Sequence, residues 1–97
     1  MIATWFEWRI KSGRDEEFRA VWAEVTHALH SRGSRGSTLF RRSEDHYCAL
    51  ARWPDRATLD AAFAAEATSE ASERLRHLIS ATMQQVELDE VDNQWRD

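Results

Sequence analysis

From Ile2 to Ile10 the side chains alternate strictly: Ile2, Thr4, Phe6, Trp8 and Ile10 fall on one side, Ala3, Trp5, Glu7 and Arg9 on the other. Period two over nine residues predicts a β-strand with one face in the core and one amphipathic face. Directly after the Ser12-Gly13 break the period changes: Phe18, Val21, Trp22, Val25 and Leu29 recur at helical spacing. A helix whose apolar stripe carries two aromatic rings must lay that stripe on something flat, so a sheet covered by helices is expected.

The rest of the chain repeats the same grammar. Asp15, Glu16 and Glu17 put negative charge where a helix N-terminus carries partial positive charge. Ser31-Arg32-Gly33-Ser34-Arg35-Gly36 marks the end of that helix. Ser37 to Arg42 and Tyr47 to Trp53 read as two strands joined by the polar connection 43–46, which is hairpin length. Pro54 is a suitable first helical residue. It leads into an alanine-rich stretch with Leu59, Ala62 and Phe63, and Thr68 or Ser69 can cap a further run striped by Ala71, Leu75, Leu78 and Ile79. Met83 to Val91 reads as a last strand.

The order is βαββαβ with the second helical region broken in two. It predicts an α+β, ferredoxin-like fold: a four-stranded antiparallel sheet with helices on one face. Residues 1–91 form one domain in this reading, followed by a polar tail at 92–97 that carries Trp95. Trp5, Leu39 and Leu50 are expected on the uncovered face. Ninety-seven residues bury only about two thirds of their unfolded surface. Pairing of two such open faces into a dimeric α/β barrel is therefore expected.

Composition excludes several functions. The net charge is −4 with both signs interspersed, so the electrostatic footprint of a nucleic-acid binder is missing. No apolar run is long enough to span a bilayer. The first residues reach Glu7 without a basic leader, so no signal peptide is expected, and Cys48, the only cysteine, permits no intrachain disulfide. A cytoplasmic protein fits these features. No nucleophile motif, phosphate loop or dinucleotide fingerprint is present.

The chemistry-bearing residues gather on the predicted helix side. Trp53 ends an alternating strand with Ala49 and Ala51 on its own face, leaving room for a flat molecule. Phe6, Trp8, Trp22 and Phe63 can converge with it around a planar ligand. Buried indole N–H groups want acceptors, so a quinone or phenol oxygen near Trp53 or Trp22 is chemically sensible. Thr4, Thr26 and Tyr47 offer hydroxyls near the same cavity, and a filled aromatic core is the plain alternative for the set. The histidines look unsuited to metal or proton chemistry. His27 lies about 180° from its helix's apolar stripe, His30 sits at the helix end, His77 points away from its stripe, and His46 is placed in the hairpin turn. Arg32, Arg35, Arg41 and Arg42 could grip an anion, with Glu44 and Asp45 partly neutralising them. Glu7, Arg9 and Arg52 could form ion pairs on the barrel side, and Trp5 and Trp95 are expected as dimer contacts or as a docked tail.

At these points the sequence resembles the antibiotic biosynthesis monooxygenase family of dimeric α/β barrel proteins. The matching segments are the opening strand followed by Lys11-Ser12-Gly13-Arg14 and an acidic helix start leading to Phe18, and Ala51-Arg52-Trp53-Pro54-Asp55 opening the second helical region. The resemblance implies a pocket inside each subunit, between sheet and helices, walled by Trp53. It implies a cofactor-independent monooxygenase acting on an aromatic or polyketide-like molecule, without flavin or metal. A noncatalytic ligand-binding or structural dimer is the alternative. Haem-degrading relatives use an asparagine on the first strand and a histidine in the second helical region. Here the first strand has no Asn and residues 57–76 hold no His, so a haem-binding reading ranks last.

Overall fold

The computed structural model describes residues 1–96, so Asp97 of the expected tail lies outside the described residues. The elements run β1 (Ile2–Ile10), α1 (Asp15–His30), β2 (Ser37–Ser43), β3 (His46–Trp53), α2 (Arg56–Glu66), α3 (Glu70–Leu78) and β4 (Ile79–Asp89). The four strands make one antiparallel sheet in the order β2-β3-β1-β4. This is the ferredoxin-like βαββαβ arrangement expected from the sequence.

Strand register decides what each face carries. Phe6 pairs with Ala49 and Trp8 with Tyr47, and Leu39 also pairs with Ala49. Phe18 of α1 stands edge-on to Trp8 at 5.8 Å, which identifies this as the helix side. Trp8, Ile10, Phe18, Val21, Tyr47, Ala49 and Leu78 form the main core cluster. A second cluster of Ala51, Trp53, Leu59 and Ala62 lies under α2. Phe18 is wholly buried; burial of such a ring contributes about 1.5–3 kcal/mol.

Leu39 is the first correction. Its pairing with Ala49 puts it on the helix side, packed against the main cluster, and Phe40 takes the open face opposite Cys48. A one-residue difference in register exchanges the faces of a strand, and an isolated seven-residue strand does not specify its own register. On the open face Trp5 pairs with Leu50 and Val86, and Ala3 with Leu88. Phe40, Val86 and Leu88 are exposed there.

Helix boundaries follow local chemistry. α1 ends in a Schellman closure: the N–H of Ser34 donates to Leu29 O and that of Gly33 to His30 O. Gly33 adopts φ +109°, and a Cβ there would sit 2.5 Å from Thr58 Cγ2. Glycine thus both permits the turn and lets α2 approach. Asp55, and not Pro54, opens α2, its carboxylate accepting from Thr58 N at 2.8 Å. Ser69 caps α3 by accepting from Ser72 N.

The last strand begins four residues earlier than Met83 and ends at Asp89. Ile79 leaves the helix with φ −88° and ψ 121° and pairs directly with Ile10, because β1 offers a free edge that outweighs one more turn of α3. Trp95 is exposed and therefore is not docked on its own chain. No described helix is long and apolar enough to cross a membrane.

Candidate functional site

Three rows cross the helix side of the sheet. Ser37, Ala51 and Thr4 stand side by side, then Leu39, Ala49 and Phe6, then Arg41, Tyr47 and Trp8. The two alanines make a low floor between larger neighbours. Above it the rings run as a chain: Phe6 stacks on Trp8 at 5.3 Å and meets Phe63 at 6.0 Å. Phe63 in turn stands edge-to-face with Trp53 at 5.6 Å. The structure thus links Phe6, Trp8, Phe63 and Trp53, four of the expected residues, in one aromatic wall.

Two polar atoms in this region lack partners. Thr4 Oγ1 and Trp53 Nε1 are fully buried and make no hydrogen bond. They lie diagonally across the β1–β3 ladder, since Ile2 pairs with Trp53 and Thr4 with Ala51. A buried donor without an acceptor costs about 1–3 kcal/mol. Both groups flank Ala51 on the helix side of the sheet: Thr4 stands directly opposite it, and Trp53 follows it by two residues on the same face.

A groove of about 660 Å³ runs between α1 and β2, lined by Glu16, Arg19, Ala20, Trp22, Ala23, Ser37, Thr38 and Leu39. Of the expected site residues only Trp22 lines it. Ser37 and Leu39 also head two of the cross-strand rows, which continue through Ala51 to Thr4 and through Ala49 to Phe6.

Tyr47 lies in the same wall, 5.1 Å from the Phe18 ring, but its hydroxyl already donates to Asp15 Oδ2 at 2.6 Å. Burial pushes the phenol pKa above its usual value, and the Asp15 carboxylate adds to the effect. Thr26 is buried on α1. His27 and His30 are exposed and stack on each other. The arginines do not act as a cluster: Arg32 donates to Glu66 on α2, and Arg42 donates to Glu7. Arg52 pairs with Glu90.

His46 is the largest correction. It is the first residue of β3, not part of the turn, and is 6% exposed. The turn is only Glu44-Asp45, with Asp45 at φ +58° and a register shift between Arg41 and Ser43, so the connection is two residues shorter than the sequence implied. His46 Nε2 lies 2.7 Å from Glu7 Oε2, on the open side of the sheet. Cys48 stands directly opposite Glu7, and all three are buried. The hydrogen bond from His46 holds the Glu7 carboxyl below its usual pKa, with the charge of Arg42 helping, although burial opposes it. Burial pushes the Cys48 thiol up, and the charge of Glu7 adds to this. The sequence signal was present in the shared parity of His46 and Cys48, but only cross-strand register brings Glu7 beside them.

A sequence-family model described as antibiotic biosynthesis monooxygenase matches residues 1–74. The chain belongs to the antibiotic biosynthesis monooxygenase family. No curated protein matches its sequence. Among solved structures it is similar to SnoaB, a cofactor-independent oxygenase from Streptomyces nogalater, with a TM-score of 0.83 at 18% identity over 96% of this chain and 95% of that one. An antibiotic biosynthesis monooxygenase structure gives 0.69 at 23% identity, covering 95% and 100%. A MhuD mutant carrying two manganese protoporphyrin IX molecules per active site gives 0.70 at 20% identity, covering 96% and 97%. At these identities the likeness shows the fold.

The two residues expected of the haem-degrading relatives have no counterpart at the corresponding places. β1 contains no asparagine. The histidine nearest the expected segment is His77 on α3, whose side chain is 72% exposed with Nε2 3.9 Å from Glu73. It faces solvent and not the aromatic wall.

Proposed function

We propose that this protein is a cofactor-independent monooxygenase acting on an aromatic or polyketide-like small molecule, bound between the sheet and the helices against Trp53, Phe63, Phe6 and Trp8. Family membership supports a monooxygenase-type function. The observation that carries the finer reading is the pair of unpartnered atoms, Thr4 Oγ1 and Trp53 Nε1. In this reading an anthrone, phenol or quinol oxygen accepts a hydrogen bond from each. As the substrate loses a proton, charge builds on that oxygen, and two preorganised donors in a dry pocket stabilise it more than the neutral form. The electron-rich carbon then reacts with dioxygen. For an anthrone, the CH₂ becomes C=O, one oxygen atom enters the product, and the other leaves as water with the two hydrogens. The groove beside Trp22, Ser37 and Leu39 serves as the entrance in this reading, and Tyr47, already tied to Asp15, shapes the wall.

The open face suits a second copy of the chain. Trp5, Leu50 and Val86 form one apolar row, flanked by Leu88 and Phe40, and an exposed patch of this kind on a small domain favours association. Docking of two such faces completes the dimeric barrel. The buried, unpaired Cys48 suits a reducing cytoplasm.

One observation favours a noncatalytic dimer: the edge-to-face packing of Trp53 on Phe63, which a filled core also produces. Oxygen uptake with an anthrone or quinol separates the two. Trp53→Phe keeps an aromatic ring and loses the nitrogen-bearing ring with its N–H; it is expected to lower turnover at least tenfold, against about 10²–10³ for loss of one oxyanion-hole donor, and circular dichroism checks that folding is retained. Wild-type protein that neither consumes oxygen nor binds such substrates would overturn the proposal, as would full turnover in Trp53→Phe.

A further inference from the structure

On the sheet face opposite the aromatic wall, the carboxylate, imidazole and thiol of Glu7, His46 and Cys48 converge with their donor atoms all within 4.8 Å of one another. We propose that these three side chains form a binding site for one divalent transition-metal ion of the zinc class. The proposal is independent of the oxygenase reading, because the site lies across the sheet from Thr4 and Trp53.

The donor set is selective. A thiolate with an imidazole suits borderline-soft zinc or cobalt better than magnesium or calcium, which take oxygen ligands. Three protein ligands with one open position is the arrangement of zinc sites that keep a water molecule. Metal–ligand bonds of about 2.0–2.3 Å set neighbouring donors roughly 3.3–3.8 Å apart in a tetrahedron. Glu7 Oε2 and His46 Nε2, now 2.7 Å apart, need to separate by only about 1 Å to reach that spacing.

The scaffold brings the donors together. Glu7 and Cys48 are a direct cross-strand pair in the two central strands, and His46 precedes Cys48 by two residues on the same face of β3. All three side chains are buried, so their rotamers are restricted before any ion arrives, which lowers the entropy lost on binding. In the metal-free state Arg42 supplies counter-charge, with NH1 3.1 Å from Glu7 Oε2. Its side chain is 66% exposed in the single chain, and its contact with Glu7 is the one a dication would replace. On binding, the Cys48 proton leaves to solvent and the imidazole binds neutral. The thiolate and carboxylate then balance the charge of the ion.

The test uses tag-free protein stripped with chelator and titrated with Co²⁺. The expected result is one equivalent bound per chain, with a thiolate-to-cobalt charge-transfer band that Zn²⁺ abolishes by displacement. Cys48→Ser should lose the band. His46→Gln should weaken Co²⁺ affinity at least tenfold, with far-UV circular dichroism reporting that the metal-free variant is folded. Arg42→Ala leaves all three donors and removes the competing cation, so it should bind Co²⁺ several-fold more tightly; this arm remains decisive if His46→Gln does not fold. Absence of a stoichiometric thiolate band in wild type would overturn the proposal. So would unchanged affinity in folded His46→Gln, or affinity no tighter in Arg42→Ala. None of these readouts involves oxygen uptake, so the two proposals fail separately.

Discussion

Replacing Thr4 by valine should make the protein more stable and less able to handle its ligand. The two side chains have the same shape, and Thr4 is 3% exposed with Oγ1 lacking any partner. An unpaired buried hydroxyl costs about 1–3 kcal/mol on the protein mutational scale. Valine removes that cost and adds one apolar group to the interior, which contributes on the order of 0.8 kcal/mol. Allowing for imperfect repacking beside Ala51, the net gain is about 1–2 kcal/mol. For a domain of this size 1 kcal/mol corresponds to roughly 4–8 °C, so Tm should rise by about 4–16 °C. The assay is urea and thermal unfolding at equal protein concentration, with the urea m-value checked for constancy. Concentration must be fixed because association shifts apparent stability. Substrate affinity or turnover should fall in the same variant. A Thr4→Val protein that is less stable than wild type would refute the reasoning: the hydroxyl would then have a partner within the folded protein, and it could not be waiting for a ligand oxygen.

Four further outcomes are expected. The Glu7 carboxyl titrates below its ordinary 4.5 in the folded state, so its contribution to stability is complete above pH 4.5 and is lost as pH falls through the lowered value. In urea melts from pH 5 to 3, the gap between wild type and Glu7→Gln should shrink as the pH falls below 4.5. The chain's single tyrosine, Tyr47, has a pKa raised above 10.0. Its contribution is therefore present below pH 10 and lost as pH rises past it, and the ultraviolet titration of phenolate should be delayed until above pH 10 or until unfolding. Gly33→Ala combines φ +109° with a contact to Thr58 Cγ2 and should cost about 1–3 kcal/mol by chemical denaturation, less in a Thr58→Ser background that lacks the offending methyl. Val86→Glu places a charge in the middle of the open-face apolar row and should convert a dimer to a monomer by light scattering; a monomeric wild type would remove the barrel proposal.

Features legible in the sequence are those of short physical range. The helix stripe of Phe18, Val21 and Val25 and the inward parity of Phe6 and Trp8 were legible because each reflects a local period. The cap at Ser69 needs only a neighbour three residues away. Misreadings fall where a residue's place depends on a partner strand. The face of Leu39 is set by its register with Ala49 on the partner strand, which the sequence does not contain. The local stripe of Ile79 fits a helix, while pairing with Ile10 draws it into β4. Four polar residues around His46 suggest a loop, but the ladder closes around only Glu44 and Asp45.

The candidate sites divide in the same way. Periodicity alone determined that aromatic side chains line one side of a βαββαβ sheet and that Trp53 ends a strand floored by alanines. It could not show that Thr4 Oγ1 and Trp53 Nε1 are left without partners, since satisfaction of a buried polar atom depends on everything packed around it. Nor could it bring Glu7 to Cys48, forty-one positions away in the chain and directly opposite in the sheet. Local spacing writes the period of each element, but strand register, which is a contact between distant segments, decides which side chains meet.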